Sequence, residues 1–346
     1  MKAIVMKTIV QVGVIGLLTI ILVACKSVEA PPPLPLEKIP PLPASVSERY
    51  QQGEKQLAKG DLPGTIAAWQ EILPQLTNHP IAPHLRGWLT LLRREEAKRY
   101  AREAAASEKN LSNTPPNARV IAVLPFSNIF TSAAFGGASK PKPFNQALAA
   151  FVMADLSRVP ELQIVERDKM QFLLDELALS SSGLTDPATR LRVGRIMGAG
   201  HVVTGQVSTF VSGSDYTDSE YAINTVVADV IAEEVRGVQE AVGGLLKFYE
   251  LEKEIVYEIL ADLEIKTFPK SVKKIHTKNW DAYAAFALGL EYLSKDRFEE
   301  AREAFFKAIH FDPEFELARE AYDSVPVGGN RVSEIPVSLS PKIQGE

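Results

Sequence analysis

The sequence predicts an α/β sandwich domain, helices packed on a mixed sheet, flanked on both sides by α-helical repeat-like segments. Three observations predict it. Between residues 118 and 266, short β-branched runs alternate with helix-periodic stretches, the pattern of helices laid on a sheet. Residues 46–112 and 278–323 carry helical periodicity with small residues where two helices would meet. A stretch at 30–43, half of whose positions are proline, separates all of this from an apolar N-terminus. The chain has 346 residues, net charge −5, 46% hydrophobic and 23% charged residues, which fits an ordinary globular protein of about two domains. The acidic balance excludes a general nucleic-acid binder, which needs a clustered basic surface. A single cysteine excludes an internal disulfide framework, a cysteine zinc site and an iron–sulfur cluster.

Residues 1–24 begin with Lys2 and Lys7 and then run apolar from Thr8 to Ala24, interrupted only by Gln11. A basic start followed by an apolar core of this length reads as a secretory signal peptide. An uncleaved membrane span is the rival reading, since the run approaches the roughly 18–20 residues a helix needs. The ending decides between them: Leu22-Val23-Ala24-Cys25 places a small residue before the sole cysteine. This resembles a bacterial lipoprotein box, which implies that Cys25 is acylated and becomes the new N-terminus. Cleavage there removes both lysines and no acids, leaving 36 of the 38 basic groups against all 43 acidic ones, a net charge of −7. Several acyl chains at about 0.8 kcal/mol per buried methylene anchor stably. Lys26, rather than Asp, follows the cysteine; by the sorting rule of such lipoproteins this implies the outer membrane, with the chain in the periplasm.

After the lipidated cysteine, residues 25–45 form a proline-rich tether. Proline fixes φ and lacks a donor, so the stretch predicts an extended polyproline-type spacer, reaching roughly 40 Å at about 3.1 Å per residue. In 46–112, Gly53, Leu57, Leu62, Ile66, Trp69 and Ile72 are spaced as facing surfaces of two short helices with Lys59-Gly60-Asp61 between them. A long helix follows from Ala82 to Lys109, its last third rich in Glu, Arg and Ala pairs that serve solubility. Asn110–Asn117 reads as a boundary.

The α/β region, 118–266, opens with a buried strand at Val120–Pro125. A helix over Phe144–Leu156, a strand at Leu162–Val165 and a helix over Met170–Leu179 follow. Asp186-Pro187 supplies an N-cap and a first-turn proline for a helix that stops at Gly198-Ala199-Gly200. Val202–Phe210 and Ala222–Ile231 are strands joined by a polar hairpin-like loop. Gly243–Leu263, with Leu251, Ile255 and Ile259 in helical phase, closes the domain as a helix.

Residues 282–315 place Leu288, Gly289, Tyr292, Ala301, Phe305, Ala308 and Pro313 at the spacing of a tetratricopeptide repeat. Gly289 and Ala301 let two antiparallel helices approach, Tyr292 and Phe305 fill the gap, and Pro313 ends the second helix. Laying residues 46–79 on this template puts Gly53 on Gly289, Leu57 on Leu293 and Trp69 on Phe305, with Thr65 and Ile72 in place of the alanines. One or two such repeats do not support themselves, so they must pack on the α/β domain or on another chain. Residues 324–346 read as a disordered tail.

Three stretches, VIAVLPFSN (120–128), VERDKMQFLLDELALSSSGLTDPATRLRVGRIMGAGHVVTGQVS (165–208) and LEKEIVYEILADL (251–263), together resemble the periplasmic α/β domain of the curli secretion channel (CsgG) family, similar in fold to the N-terminal domain of TolB. That family includes pore-forming and non-pore lipoproteins. The resemblance implies an outer-membrane-anchored lipoprotein whose partners are membrane lipid, through acylated (palmitoylated) Cys25, and envelope or secretion proteins, with a homo-oligomer left open. A membrane strand needs about 9–11 alternating residues. The linker between the strands at 202–210 and 222–231 has about eleven polar residues, too few to cross and return. The interaction-factor reading is therefore favoured over a channel subunit.

Nothing in the sequence points to catalysis. His79, His84, His201, His276 and His310 show no paired ligand spacing, so no metal is expected. There is no GxSxG elbow, P-loop or dinucleotide fingerprint, and no cofactor or enzymatic activity is expected. Glu166-Arg167-Asp168 reads as a capping and ion-pairing turn. Tyr283, Phe286, Tyr292 and Phe305 are candidate contact surfaces for a protein partner, with a place in the core as their alternative.

Overall fold

The computed structural model describes residues 30–108, 115–130, 144–180, 183–210, 220–244, 247–329 and 331–336. Leu22, Val23, Ala24 and Cys25 lie outside them.

The chain begins with a helical hairpin, α1 (Ala44–Ala58) and α2 (Leu62–Ile72). Asp61 caps α2 by accepting from the Gly64 N–H at 3.0 Å. Gly53 is where the two helices meet: a Cβ there would stand 2.2 Å from the Trp69 ring, and Trp69 Nε1 donates to the Tyr50 carbonyl at 3.1 Å. The same device recurs in α8 (Trp280–Ser294) and α9 (Phe298–Phe311), where a Cβ on Gly289 would stand 2.5 Å from the Phe305 ring. Ala44 and Trp280, Ala58 and Ser294, and Leu62 and Phe298 mark corresponding helix ends at one constant offset of 236 residues.

The sheet contains β1 (Asn117–Val123), β2 (Ser127–Phe130), β3 (Gln163–Ile164), β4 (Ala199–Phe210), β5 (Glu220–Asp229) and β6 (Glu234–Gly244). Its order is β3-β1-β4-β5-β6, with β2 also on β4. The β1 pairings and the β2–β4 pairing are parallel. The β4–β5–β6 run is an antiparallel meander. On one face α4 (Phe144–Leu156) and α7 (Phe248–Asp262) bury Leu148, Val152, Ile255 and Ile259 against Val123, Val203, Ile223 and Val227. On the other, α5 (Arg167–Glu176) and α6 (Pro187–Met197) bury Leu173, Val193 and Ile196 against Ala122, Val202 and Val230. Asp186 caps α6, accepting from the Thr189 N–H at 2.8 Å. Helices on both faces of a mixed sheet make the fold α/β.

The helical units are not separate from this domain. α3 (Ala82–Ala106) runs beside α2, α5 and α10 (Glu316–Ser324), and α8 lies on α4. Phe151 of α4 meets Tyr283, Phe286 and Phe315 at ring distances of 5.4, 5.8 and 5.7 Å.

Three expectations are corrected. The closing helix does not start at Gly243: residues 234–244 form strand β6, and α7 begins at Phe248. The cause is local, because Asp229 Oδ1 accepts the Ile231 and Ala232 N–H groups and turns the chain back as a hairpin. The tail is not disordered from 324: Val325, Val327 and Ile335 are buried. The backbone at 325–327 runs so close to Gly87 of α3 that a Cβ there would stand 2.8 Å from Pro326. Nor is the proline-rich stretch a free spacer over its described part, since Leu36, Ile39 and Leu42 are half-buried against the body.

Gly53→Ala and Gly289→Ala should each destabilise by about 1–3 kcal/mol through overpacking, although alanine is the better helix former by about 1 kcal/mol. Urea melts of both variants check this; a midpoint at or above wild type would contradict the close-packing role.

Candidate functional site

The polar feature that stands out in the interior is a charge cluster where α4, α7 and the segment leading into α8 meet. It is built from side chains that the helical period turns inward. Asp155 sits on the stripe of Leu148, Phe151 and Val152, and Glu252 on that of Val256 and Leu260. Asp155 has no exposed surface, and Glu252 and Lys253 are almost as deep. Lys253 Nζ contacts Asp155 Oδ2 directly and lies 3.4 Å from Glu252 Oε2. Arg158 Nη1 donates to Asp155 Oδ1 at 2.9 Å and to the Ser271 carbonyl at 2.9 Å. His276 Nε2 lies 3.1 Å from Asp155 Oδ1, and its ring packs on Phe151 at 4.6 Å.

Burial alone would raise the Asp155 carboxyl, but hydrogen bonds from His276 and Lys253, with the Lys253 charge, outweigh it and hold the group below the ordinary carboxylate range. Burial and the neighbouring Asp155 charge push Glu252 well above its usual value, so it is the protonated member. Burial lowers His276 despite the pull of Asp155, which keeps the ring neutral. Ligand atoms of Asp155, Glu252 and His276 lie within 4.8 Å of one another, a spacing that suits a metal ion. The Lys253 ammonium stands among them and supplies the cation that the Asp155 carboxylate requires. Asp155, Glu252 and Lys253 are closed to solvent, and with Arg158 and His276 they fasten three segments. His276 also lines a groove of about 960 Å³, together with Lys274, Thr277, Asn279, Asp312 and Arg319 among others.

A second buried cation ties the helical units to the sheet domain. Arg94 of α3 donates to Asp168 of α5 and to Asp296 in the α8–α9 turn, both at 2.8 Å. Arg167 donates to the Leu290 carbonyl at 3.3 Å. The Glu166–Asp168 turn thus joins an ion-pair network, but Glu166, the residue before α5, makes no side-chain capping hydrogen bond. His201 Nδ1 faces the Ala118 carbonyl at 3.1 Å, with Asp229 3.7 Å from Nε2; burial lowers its pKa.

The repeat-signature residues come together at the α8–α9 contact. Gly289, Ala301, Phe305 and Ala308 are buried there, Leu288 and Tyr292 are half-buried, and Pro313 is exposed just past α9. Tyr283, Phe286 and Phe305, offered by the sequence as contact surface, are core. Sequence reasoning missed Asp155, Glu252 and Lys253; the available signal was acids falling in phase with apolar helical stripes.

The comparisons with known proteins bear on the sheet domain. Residues 102–216 match the family model described as curli production assembly/transport component CsgG. The match spans about a third of the chain. Two solved structures are similar: the LpoB C-terminal domain from Salmonella enterica, at 15% identity, and lipoprotein GNA1162 from Neisseria meningitidis, at 13%. Each alignment covers 41% of this chain, with 94% and 96% of those chains and TM-scores of 0.27 and 0.29. No curated protein matches the chain. Among the described residues, no helix is long and apolar enough to cross a membrane.

The cluster sets a pH response. A native state that keeps His276 neutral takes up fewer protons than the unfolded chain below about pH 6.5, so stability falls as pH drops through that value. Glu252 has the opposite sign: the unfolded chain sheds its proton above about pH 4.5, and stability is lost as pH rises. His276→Gln should flatten the decline between pH 7 and 5.5, and Glu252→Gln should raise stability at pH 8. Denaturant melts across this range check both; curves parallel to wild type would contradict the assignment.

Proposed function

We propose that this protein is an outer-membrane-anchored periplasmic lipoprotein that works as a protein-interaction or assembly factor in the cell envelope. The observation that carries the reading is the CsgG family match over residues 102–216 in a chain whose Leu22-Val23-Ala24-Cys25 resembles a lipoprotein box. Acylation of Cys25 confines the body to a surface, which raises its effective concentration for partners there. The hairpins α1–α2 and α8–α9, with glycine under an aromatic ring in each, support assignment as tetratricopeptide-like repeats. A non-enzymatic role fits Asp155, Glu252 and Lys253 engaging one another in the interior.

A channel subunit is the alternative, favoured by the transport function in the matched family's description. Against it, β4, β5 and β6 belong to one sheet whose inner face packs on α4 and α7. The stretches 131–143 and 211–219 are shorter than the roughly 18–22 residues that two membrane strands require.

Light scattering on the detergent-extracted, lipidated protein separates the two. The interaction-factor reading expects one or two chains per particle; a closed ring of about eight or more subunits would contradict it. With residues 1–24 replaced by a cleavable leader that needs no lipoprotein box, Cys25→Ala should move the protein from the membrane to the soluble fraction, and retention in the membrane after verified cleavage would overturn the lipid anchor.

A further inference from the structure

The proline-rich stretch is bound in a groove of its own chain. Three cationic or imidazole side chains from separate elements reach its backbone carbonyls. His84 of α3 meets the Leu34 carbonyl through Nε2 at 2.8 Å, His79 meets that of Pro41 at 3.3 Å, and Arg302 of α9 donates to that of Pro31 at 3.3 Å. A carbonyl only accepts, so both histidines present Nε2–H here. Pro35 and Pro43 hold polyproline-II angles, with φ −55° and ψ near 141°. Between them a single 3₁₀ turn at Leu36–Lys38 lets Leu36, Ile39 and Leu42 lean on the core. The groove has its own aromatic support: Trp88 lies beside His84 at 5.9 Å, and the Arg302 guanidinium sits 4.0 Å above the Tyr322 ring. Exposed carbonyls taken by fixed donors, with apolar side chains in adjoining recesses, are how polyproline-II segments are recognised. Proline also lowers the entropy lost on docking, because the segment is extended before it binds.

We propose that residues 31–43 and the groove of His79, His84 and Arg302 form a polyproline-II clasp that sets how far the body stands from the lipid anchor. With the clasp closed, the six residues from Cys25 to Ala30 link it to the anchor, a reach of at most about 22 Å at roughly 3.3–3.6 Å per residue. With it open, the whole stretch to Ala44 pays out as an extended spacer of about 60 Å. The closed clasp therefore turns α9 and α10, which carry Arg302 and Tyr322, toward the membrane. The standoff rests on the lipid anchor proposed above; the clasp itself does not.

The sole cysteine makes the clasp directly measurable in the mature chain, residues 25–346, produced without lipid. A nitroxide on Cys25 should broaden the NMR signals of amides around Arg302 and Tyr322 and leave those of β5 and β6 sharp. In the triple variant His79→Ala, His84→Ala, Arg302→Ala this localised broadening should be lost. Leu36→Asp with Ile39→Asp, which changes the strap alone and leaves the body intact, should lose it too. A wild-type chain without localised broadening, or a strap variant that keeps it, would overturn the proposal. Because no lipid is present, a failed clasp is distinguishable from a failed anchor, which the membrane fractionation of Cys25→Ala reports separately.

Discussion

Asp155 is a carboxylate with no surface exposed to water, and a charge in that position must be met by opposite charge or it would not remain ionised. No single element supplies the partners. Lys253 comes from α7, Arg158 from the residues after α4, and His276 from the segment that enters α8. Satisfying one carboxylate therefore fixes where α7 lies on α4 and where the chain enters the C-terminal helices. The aromatic contacts of Phe151, one turn before Asp155, fall into place around that junction and bury the inner face of α8. Arg94 repeats the principle at the opposite seam, joining α3, α5 and the α8–α9 turn through one buried guanidinium. Paired ions of this kind add little net stability compared with apolar side chains, but they penalise every arrangement that leaves one of them alone.

This constraint explains how two isolated helical hairpins persist. A repeat pair cannot bury its hydrophobic face by itself, and stacking on further copies is the usual solution. Here the sheet domain replaces the missing neighbours: α8 buries its face on α4, and α3, continuing from the first hairpin, lies along α5 and α10. The two hairpins share helix limits at the 236-residue offset and the same glycine-under-ring contact. The ring differs, Trp69 in one and Phe305 in the other, as does the partner surface.

Most of the architecture was legible in the residues. Phe144–Leu156 is a helix with the limits its periodicity gives, Asp186 caps α6, and Gly53 and Gly289 lie where the repeat spacing puts them. These are local signals, carried by a few neighbouring side chains. What escaped was decided by partners outside the segment itself. Strand β6 depends on Asp229 turning the chain back onto β5, and its own sequence, with Gly237, Gly243 and Gly244, has little strand propensity. Composition alone makes residues 31–43 a spacer; their docking depends on His79, His84 and Arg302, 38 to 271 residues away in the chain. The Asp155 cluster escaped for the same reason, since a charge in an apolar stripe acquires meaning only with its partners. Cys25 stands apart, because its proposed acylation rests on sequence pattern alone.

The central claim is that buried ion pairs make the helical units and the sheet domain one cooperative body. Native-state hydrogen exchange across a denaturant series tests it most directly. The account predicts that the slowest amides of α8 and those of β4 exchange with the same free energy and the same denaturant dependence, as parts of one unfolding unit. Amides of α8 that open at a distinctly lower free energy, while β4 stays protected, would contradict it.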